Sequence, residues 1–190
     1  MTDNKHFLKA MDGTMKTEGG YTPDGPTYRG IDRRWWGHWP GWSLVDAWTA
    51  GEITSGKRDT LLEQEVRHFY LINFWHRING DKMAAISPEV ACFVFDKAVN
   101  QDAPDGIRYL QDALNLLNRN QKLYPDLLID GRCGPITLER LRRYMESAPP
   151  SIEIRRALIL NCMASLYQCR IIAWMRANPA REEYRGLLMR

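Results

Sequence analysis

A glutamate followed by two glycines is the segment of this sequence with the clearest capacity for chemistry. The run Glu18-Gly19-Gly20-Tyr21 comes soon after residues 7–15, where apolar side chains recur once per helical turn. Because Gly19 supplies the left-handed residue that ends a helix, Glu18 is predicted to lie in the last turn. The negative end of the helix dipole disfavours an ionised carboxylate there by about 0.3 to 1 kcal/mol. A carboxyl group that keeps its proton in this way is a candidate general acid.

The dipole alone raises the pKa of Glu18 by less than one unit. Burial therefore has to supply the further rise in pKa that keeps the carboxyl group protonated near neutral pH. The aromatic neighbours available for this are Trp35, Trp36, Trp39, Trp42 and Trp48. Because so many indole rings in a short segment cannot all be buried by one helix, one or two are expected to be exposed, with Trp39 or Trp42 as candidates. Taken alone, the motif is also what a surface glutamate at a helix end looks like, because short motifs often match by chance.

The composition is that of an ordinary soluble globular protein. The chain has 190 residues, of which 44% are hydrophobic and 26% charged. This length can form one domain or two small ones with a buried core, without disulfides or a cofactor to stabilise them. Residues 101–190 carry 14 Lys and Arg against 10 Asp and Glu. This mildly basic half suits an anionic polymer such as nucleic acid or a bacterial wall, but its charge is too small to specify either one, and nucleic acid is not expected as a partner.

Cysteine spacing and the N-terminus bear on the compartment. Cys162 and Cys169 lie about 10.5 Å apart along one predicted helix and cannot bridge, so reduced thiols are expected. Residues 1–10 contain no apolar signal segment, which predicts synthesis in the cytoplasm without a signal peptide. The most apolar run, residues 157–169, is shorter than the roughly 20 residues that span a bilayer. It predicts a core helix and no stable membrane insertion.

Helical patterns dominate the chain, and strand signals are nearly absent. Helix starts are indicated at Asp3, Ser87-Pro88, Gly134-Pro135 and Ser151, and turns at Asn79-Gly80 and Asp130-Gly131. The segment 19–30, rich in Gly, Pro and Thr, predicts a loop or short hairpin. The last long helix, about 152–178, is expected to bury Leu158, Cys162, Ser165, Cys169 and Ile172. We therefore predict an all-α protein with at most one small β-hairpin and domains at residues 1–95 and 96–190.

Several segments, taken in order, carry a family resemblance over nearly the whole chain. They are residues 18–21, 27–31, 74–75, 78–81, 95–100, 110–115, 129–131, 134–138, 174 and 176–178. Together they resemble glycoside hydrolase family 108, bacterial and phage muramidases that include secretion activators, joined to a C-terminal peptidoglycan-binding region. The resemblance implies a lysozyme-like helical fold and cleavage of the β-1,4 bond between N-acetylmuramic acid and N-acetylglucosamine. The family's essential glutamate matches Glu18.

A second catalytic group is harder to assign. Asp24 is the candidate base, with Thr27 holding the attacking water, and Asp32 is the reserve. The stretch from Glu18 to Gly30 is several residues shorter than in the family, and Gly25-Pro26 replaces its usual pair of glycines before the threonine. Asp24 could equally be a turn residue that bonds its own backbone. Whether the enzyme inverts or retains, and whether one glutamate suffices, stays open.

Six further side chains are predicted to bind substrate: Tyr21, Tyr28, Trp39, Trp42, Asp96 and Asn100. Asp96 and Asn100 are one helical turn apart and would either line the floor of a groove or tie the two halves together by hydrogen bonds. His68 and His76 lie two turns apart, with no further ligands nearby in sequence, so neither a metal nor a cofactor is predicted.

The resemblance also implies partners and a place of action. Peptidoglycan glycan strands are the expected substrate, and a holin-like export protein would release the enzyme to the periplasm and cell wall. An endolysin role in phage lysis and a role in toxin or protein secretion both remain open.

Two rival functions are compatible with the sequence. Cys133 precedes a predicted helix start, a setting that lowers a thiol pKa, so a wall peptidase or amidase is one alternative. A peptidoglycan-binding module without turnover is the other.

Overall fold

The computed structural model describes residues 4–15, 27–47 and 60–178. Within these ranges the chain forms α1 (Lys5–Met15), β1 (Thr27–Tyr28), β2 (Ile31–Asp32), α2 (Gly41–Asp46), α3 (Thr60–Tyr70), α4 (Gly80–Ala84), α5 (Pro88–Asn100), α6 (Ala103–Leu116), α7 (Pro135–Glu146) and α8 (Ile152–Ala177). A π-helical turn, Leu71–Trp75, continues α3. The predicted all-α fold with at most one hairpin is confirmed.

Helix α5 lies at the centre of the core. Its apolar side chains Val90, Val94 and Phe95 are fully buried. Helices α1 and α4 pack on it, as do α6 and α8. The predicted boundary between residues 95 and 96 falls inside this helix, and the division into two domains stays a prediction.

Most helix starts follow the predicted signals. The Ser87 hydroxyl accepts a hydrogen bond from the Val90 amide, with Pro88 in the first turn. Ser151 caps α8 in the same way, and α7 begins directly after Gly134. The exception is α1, because Asn4 caps it by accepting from the Phe7 amide at 3.1 Å. The predicted cap, Asp3, lies outside the described residues.

The hairpin turns through two residues with positive φ, Arg29 at 49° and Gly30 at 77°. This is the backbone that two-residue hairpin loops require, and the strands pair Thr27 with Asp32. The turn is held on α3, because the Tyr70 hydroxyl donates to the Arg29 carbonyl at 2.7 Å. An ion pair of 3.1 Å joins Arg29 to Glu63.

Helix α8 packs differently from the prediction. Its inner stripe is Ile159, Met163, Tyr167 and Ile171, at four-residue spacing. The predicted inner stripe is wrong: Leu158, Ser165, Cys169 and Ile172 face outward, and only 22% of the apolar window of the helix is buried. The physical reason is that α8 is apolar on both sides, so its hydrophobic periodicity does not indicate which side packs.

Length and apolar composition would allow α8 to cross a membrane, and it is the one helix among the described residues with this property. Three of its arginines nevertheless attach it to the protein. Arg155 donates to the Met145 carbonyl, Arg156 pairs with Glu89 at 2.8 Å, and Arg170 pairs with Asp105 at 2.8 Å.

The ion pair at Asp105 predicts an acid-dependent part of the stability. The hydrogen bond from Arg170, with a second from Arg108, holds the pKa of Asp105 below its ordinary value of 3.8. A lowered pKa in the folded state stabilises the protein above the unfolded pKa, and this is lost as the pH falls through the folded pKa. Asp105→Asn should therefore lower the unfolding free energy by about 1 kcal/mol at pH 7, since both arginines are half exposed.

Urea unfolding of both proteins between pH 2 and 7 measures this difference. The gap between wild type and Asp105→Asn should close below about pH 4. A gap that stays constant with pH would contradict an ionic origin.

The turn predicted at Asp130-Gly131 is built around a buried amide. Gln111 accepts from the Gly131 amide at 2.9 Å and donates to the Asp130 carboxylate at 2.8 Å and to the Arg132 carbonyl at 3.2 Å. Gly131 has φ of 73°, and a Cβ there would come within 2.9 Å of Pro104. The turn at Asp130-Gly131 is thus fixed onto α6 by the side chain of Gln111 and by the close approach of Gly131 to Pro104.

Candidate functional site

Three predicted site residues, Glu18, Tyr21 and Asp24, lie outside the described residues. The nearest described turn is the end of α1, where Thr14 is buried. Thr14 precedes Glu18 by four residues, which is one turn if the helical spacing continues. Its hydroxyl donates to the Asp96 carboxylate on α5 at 3.3 Å. The last described turn before Glu18 is therefore tied to the central helix.

A groove with a volume of about 490 Å³ runs between α1, α5 and α8. Its polar lining among the described residues is Lys9, Thr14, Glu89, Asp96, Lys97 and Asn161, and the rest is mostly small or aliphatic. Thr14 and Asp96 belong both to this groove and to the hydrogen bond described above. The groove therefore reaches the last described turn of α1.

The charge network beneath the groove centres on Asp96 and Lys97. The Lys97 ammonium group donates to the Asp96 carboxylate at 2.9 Å, and the Lys97 side chain is 1% exposed. The same ammonium group lies over the Tyr167 ring of α8, 4.1 Å from its centroid. Asp96 thus lines the groove and also holds helices together, which were the two roles weighed for it.

One hydrogen bond of Asn100 stays within its own helix. Its side-chain amide donates to the carbonyl of Asp96, one turn earlier, at 2.8 Å. It is half-buried, and it does not line the groove. A substrate-binding role for Asn100 stays a prediction.

The hairpin places Thr27, Tyr28 and Asp32 together. Thr27 is half-buried at the start of β1, directly opposite Asp32. Burial, with the nearby Glu63 carboxylate, raises the pKa of the Tyr28 hydroxyl, and the Tyr28 ring stacks on Trp39. Tyr28 is buried, so its ring supports the hairpin instead of facing solvent.

The carboxylate of Asp32, the reserve base, already accepts hydrogen bonds from Arg34. The Arg34 side chain donates to its carboxylate, and the Arg34 amide adds a bond of 2.8 Å. These hydrogen bonds lower the pKa of Asp32. A carboxylate with a lowered pKa is a weaker base, which favours Asp24 over Asp32 for that role.

The exposure predicted for Trp39 or Trp42 is wrong. Trp39 is 5% exposed and Trp42 is 3% exposed, because the two rings pack edge to face with centroids 5.2 Å apart. Among the described tryptophans of this segment the exposed ring is Trp35, at 78%, and Trp48 lies outside the described residues. Hydrophobic density predicted that a ring would be exposed, but only the packing identifies which one.

A second pocket, of about 210 Å³, lies beside these rings. Its lining includes Trp36, His38, Trp39, His68, Phe69 and Asn73. Trp39 reaches this lining despite its low exposure, so a contact with sugar stays a prediction for this residue. The half-buried Trp36 packs edge to face on Phe69, with centroids 4.8 Å apart.

The structure gives no support to the alternative mechanism with a reactive thiol at Cys133. Burial raises the pKa of this thiol to about 12, opposite to the expected direction. The residue is 5% exposed, and its carbonyl accepts from the Asn79 side chain at 2.7 Å. Cys133 fills space between the turn and α7, where desolvation outweighs any effect of the helix start.

Replacement of Cys133 by serine tests this conclusion. Because a protonated, buried thiol is no nucleophile, Cys133→Ser should retain wall lysis within about twofold for folded protein. Turbidity of a sacculus suspension measures the rate, and circular dichroism checks folding. A folded variant without lysis would restore the thiol mechanism.

Metal binding finds no support in the part of the chain that the structure describes, where no three His, Cys, Asp or Glu side chains come close enough to hold an ion.

Two residues near the site, Thr14 and Lys97, are not among those predicted from the sequence. Thr14 had a usable signal, namely its position one turn before Glu18. Lys97 had none, because a lysine in an amphipathic helix ordinarily faces solvent.

Comparison with known proteins points to a family of glycosyl hydrolases. The model of the family Glycosyl hydrolase 108 matches residues 11–101, which include Glu18 and Asp96. The solved structure of SagA from Brucella abortus is similar to this chain, with 18% identity, a TM-score of 0.49, and coverage of 85% of this chain and 79% of that one. No curated protein matches. The observed helices and hairpin are consistent with an all-α, lysozyme-like fold.

Proposed function

We propose that this chain is a lysozyme-type N-acetylmuramidase, because the model of glycosyl hydrolase family 108 matches residues 11–101 and supports a peptidoglycan hydrolase at the level of the family. It would cleave the β-1,4 bond between N-acetylmuramic acid and N-acetylglucosamine. Glu18 is the proposed general acid. The observation that carries this proposal is the family match across the Glu18 motif, together with a groove whose lining includes Thr14, four residues earlier in the sequence.

The proposed chemistry begins with a protonated Glu18. Cleavage of a glycosidic bond requires an acid that gives its proton to the leaving oxygen. A position after α1 disfavours the ionised carboxylate through the helix dipole. The bond from Thr14 to Asp96 anchors the end of α1, four residues before the acid in the sequence, which would help to position it.

The second group decides the stereochemical outcome. An inverting enzyme needs a base about 6.5 to 9.5 Å from the acid, with a water molecule between, and a retaining one needs a nucleophile at about 5 to 5.5 Å. We assign the base to Asp24 and the positioning of water to Thr27, which β1 holds on a short, anchored hairpin. Because Asp32 is engaged by Arg34, it is left as the weaker candidate.

Analysis of the products tests the function. Purified sacculi digested with the protein should release fragments whose new reducing ends are muramic acid, identified by borohydride reduction and mass spectrometry. New reducing ends on glucosamine would indicate a different glycosidase. Binding to sacculi without any soluble product would leave a wall-binding module without turnover.

Access to the wall is a separate part of the proposal. We place the action of the enzyme in the periplasm and cell wall, with a holin-like pore as the export route. Protein that accumulates in the cytoplasm should then leave cells intact until the inner membrane is permeabilised. Lysis without permeabilisation would exclude this route.

A further inference from the structure

The groove between α1, α5 and α8 has a lining unlike that of a sugar-binding cleft. Pyranose rings bind to exposed aromatic faces with polar partners around them, yet Phe93 is the one aromatic side chain among the described residues of this lining. The walls are otherwise small or aliphatic, as at Ala10, Gly13 and Leu160. Such walls fit short aliphatic side chains better than sugar rings.

The charges of the groove favour an anionic occupant. Glu89 is paired with Arg156 and Asp96 with Lys97, so both acidic side chains of the lining are already neutralised. Lys9 is exposed, and among the described side chains no ion pair or hydrogen bond engages its ammonium group. The groove therefore offers one available positive charge at its edge.

Gly13 opens the groove in the last turn of α1. Glycine inside a helix is less favourable than alanine. A Cβ at this position would meet nothing within 4 Å among the described residues, so none of them requires a glycine. The space in front of Gly13 belongs to the groove, and any larger side chain there would extend into it.

We propose that this groove binds the stem peptide of peptidoglycan, with Lys9 pairing with a peptide carboxylate and Gly13 leaving room for the peptide chain. The stem peptide combines alanine methyl groups with free carboxylates, which matches aliphatic walls and one unpaired cation. From Lys9 to Thr14 the helix rises about 7.5 Å, the length of two extended peptide residues. The inference rests on the proposed function, because it names the part of the same substrate that lies beside the glycan.

The C-terminal half takes part in this site. Leu160 and Asn161 on α8 form the wall opposite α1, and Asn161 presents an exposed amide to the groove. Peptide binding would consequently use both halves of the chain at once, on the side of α1 that leads towards Glu18.

Titration with the isolated tripeptide L-Ala-γ-D-Glu-diaminopimelate tests the proposal by calorimetry. Lys9→Glu should weaken binding about tenfold, because it replaces attraction by repulsion. Lys5→Glu is the matched control, since Lys5 is exposed on the same helix, makes the same change in net charge and lies outside the groove. Equal affinities of the two variants would overturn the proposal, as would a wild type that does not bind the tripeptide.

Substitution of Gly13 tests the shape of the groove. Gly13→Leu should weaken tripeptide binding at least tenfold, while Gly13→Ala, which adds only one methyl group, should weaken it less and raise the melting temperature by about 2 °C. If Gly13→Leu binds the tripeptide as wild type does, the groove is not the peptide site. If it weakens binding of peptide-free glycan strands equally, the occupant is the glycan, and the proposal fails.

Failure of this inference is distinguishable from failure of the proposed function. Tripeptide binding that depends on Lys9 but comes with no new reducing ends on sacculi would remove the muramidase and leave the groove. New reducing ends on sacculi without tripeptide binding would support the muramidase and exclude the groove as the peptide site.

Discussion

Glu18→Gln should abolish wall digestion, with kcat lowered by about 10³-fold and the fold unchanged. Glutamine keeps the size of the side chain and removes the transferable proton, and general acid catalysis typically contributes about 10² to 10⁴ in rate. The measurement is the rate at which reducing ends appear on purified sacculi, with thermal unfolding as the check on folding. A correctly folded variant that digests walls at the native rate would remove Glu18 from the mechanism.

Asp24→Asn is the natural comparison for this result. If Asp24 is the base, its amide should lower kcat by a smaller, graded factor, because a weakly activated water can still attack an oxocarbenium-like centre. A turn residue that bonds only to its own backbone would lose far less, since asparagine favours the same turns. The two variants together separate an acid-base pair from a single essential glutamate.

Asp96→Asn should lower the unfolding free energy by about 2 to 3 kcal/mol, the largest loss that we expect from a single substitution near the groove. It would leave the ammonium group of Lys97, 1% exposed, without its carboxylate partner. Removal of one member of a buried ion pair costs about 3 to 5 kcal/mol, and the partial exposure of Asp96 places this case lower. Urea denaturation at pH 7 measures the loss.

A double variant gives the control for this prediction. Asp96→Asn with Lys97→Met removes both charges, and the thioether can keep the contacts of Lys97 with the Phe93 and Tyr167 rings. The double variant should recover most of the lost stability, so the double-mutant cycle should show a coupling of more than about 1 kcal/mol. Additive losses would mean that the ion pair is energetically unimportant.

Predictions from sequence succeeded where a local rule decides the structure. The caps at Ser87 and Ser151 and the start of α7 after Gly134 depend on hydrogen bonds and backbone angles within a few residues. The buried stripe of α5 follows in the same way from one-turn spacing of apolar residues. The family assignment is also a property of sequence, because it rests on motifs in a fixed order.

Predictions failed where the packing of different elements decides which side chains are buried. Nothing local distinguishes the two apolar sides of α8, and its inner side is chosen by α5, α6 and α7. Likewise, Trp39 and Trp42 are buried by each other and by α3, whereas Trp35 is left exposed. The thiol of Cys133 has the predicted position before a helix, but the surrounding protein buries it and raises its pKa.

The sequence by itself determined the helices, most of their starts and the match to the family model, because these depend on short-range spacing and on the order of motifs. Only the tertiary structure decided that Thr14, Asp96 and Lys97 form one network and that Lys9, Gly13 and Asn161 line one groove. The physical reason is that these residues are up to 152 positions apart in the chain. Their contacts exist only because α1 and α8 both pack against α5.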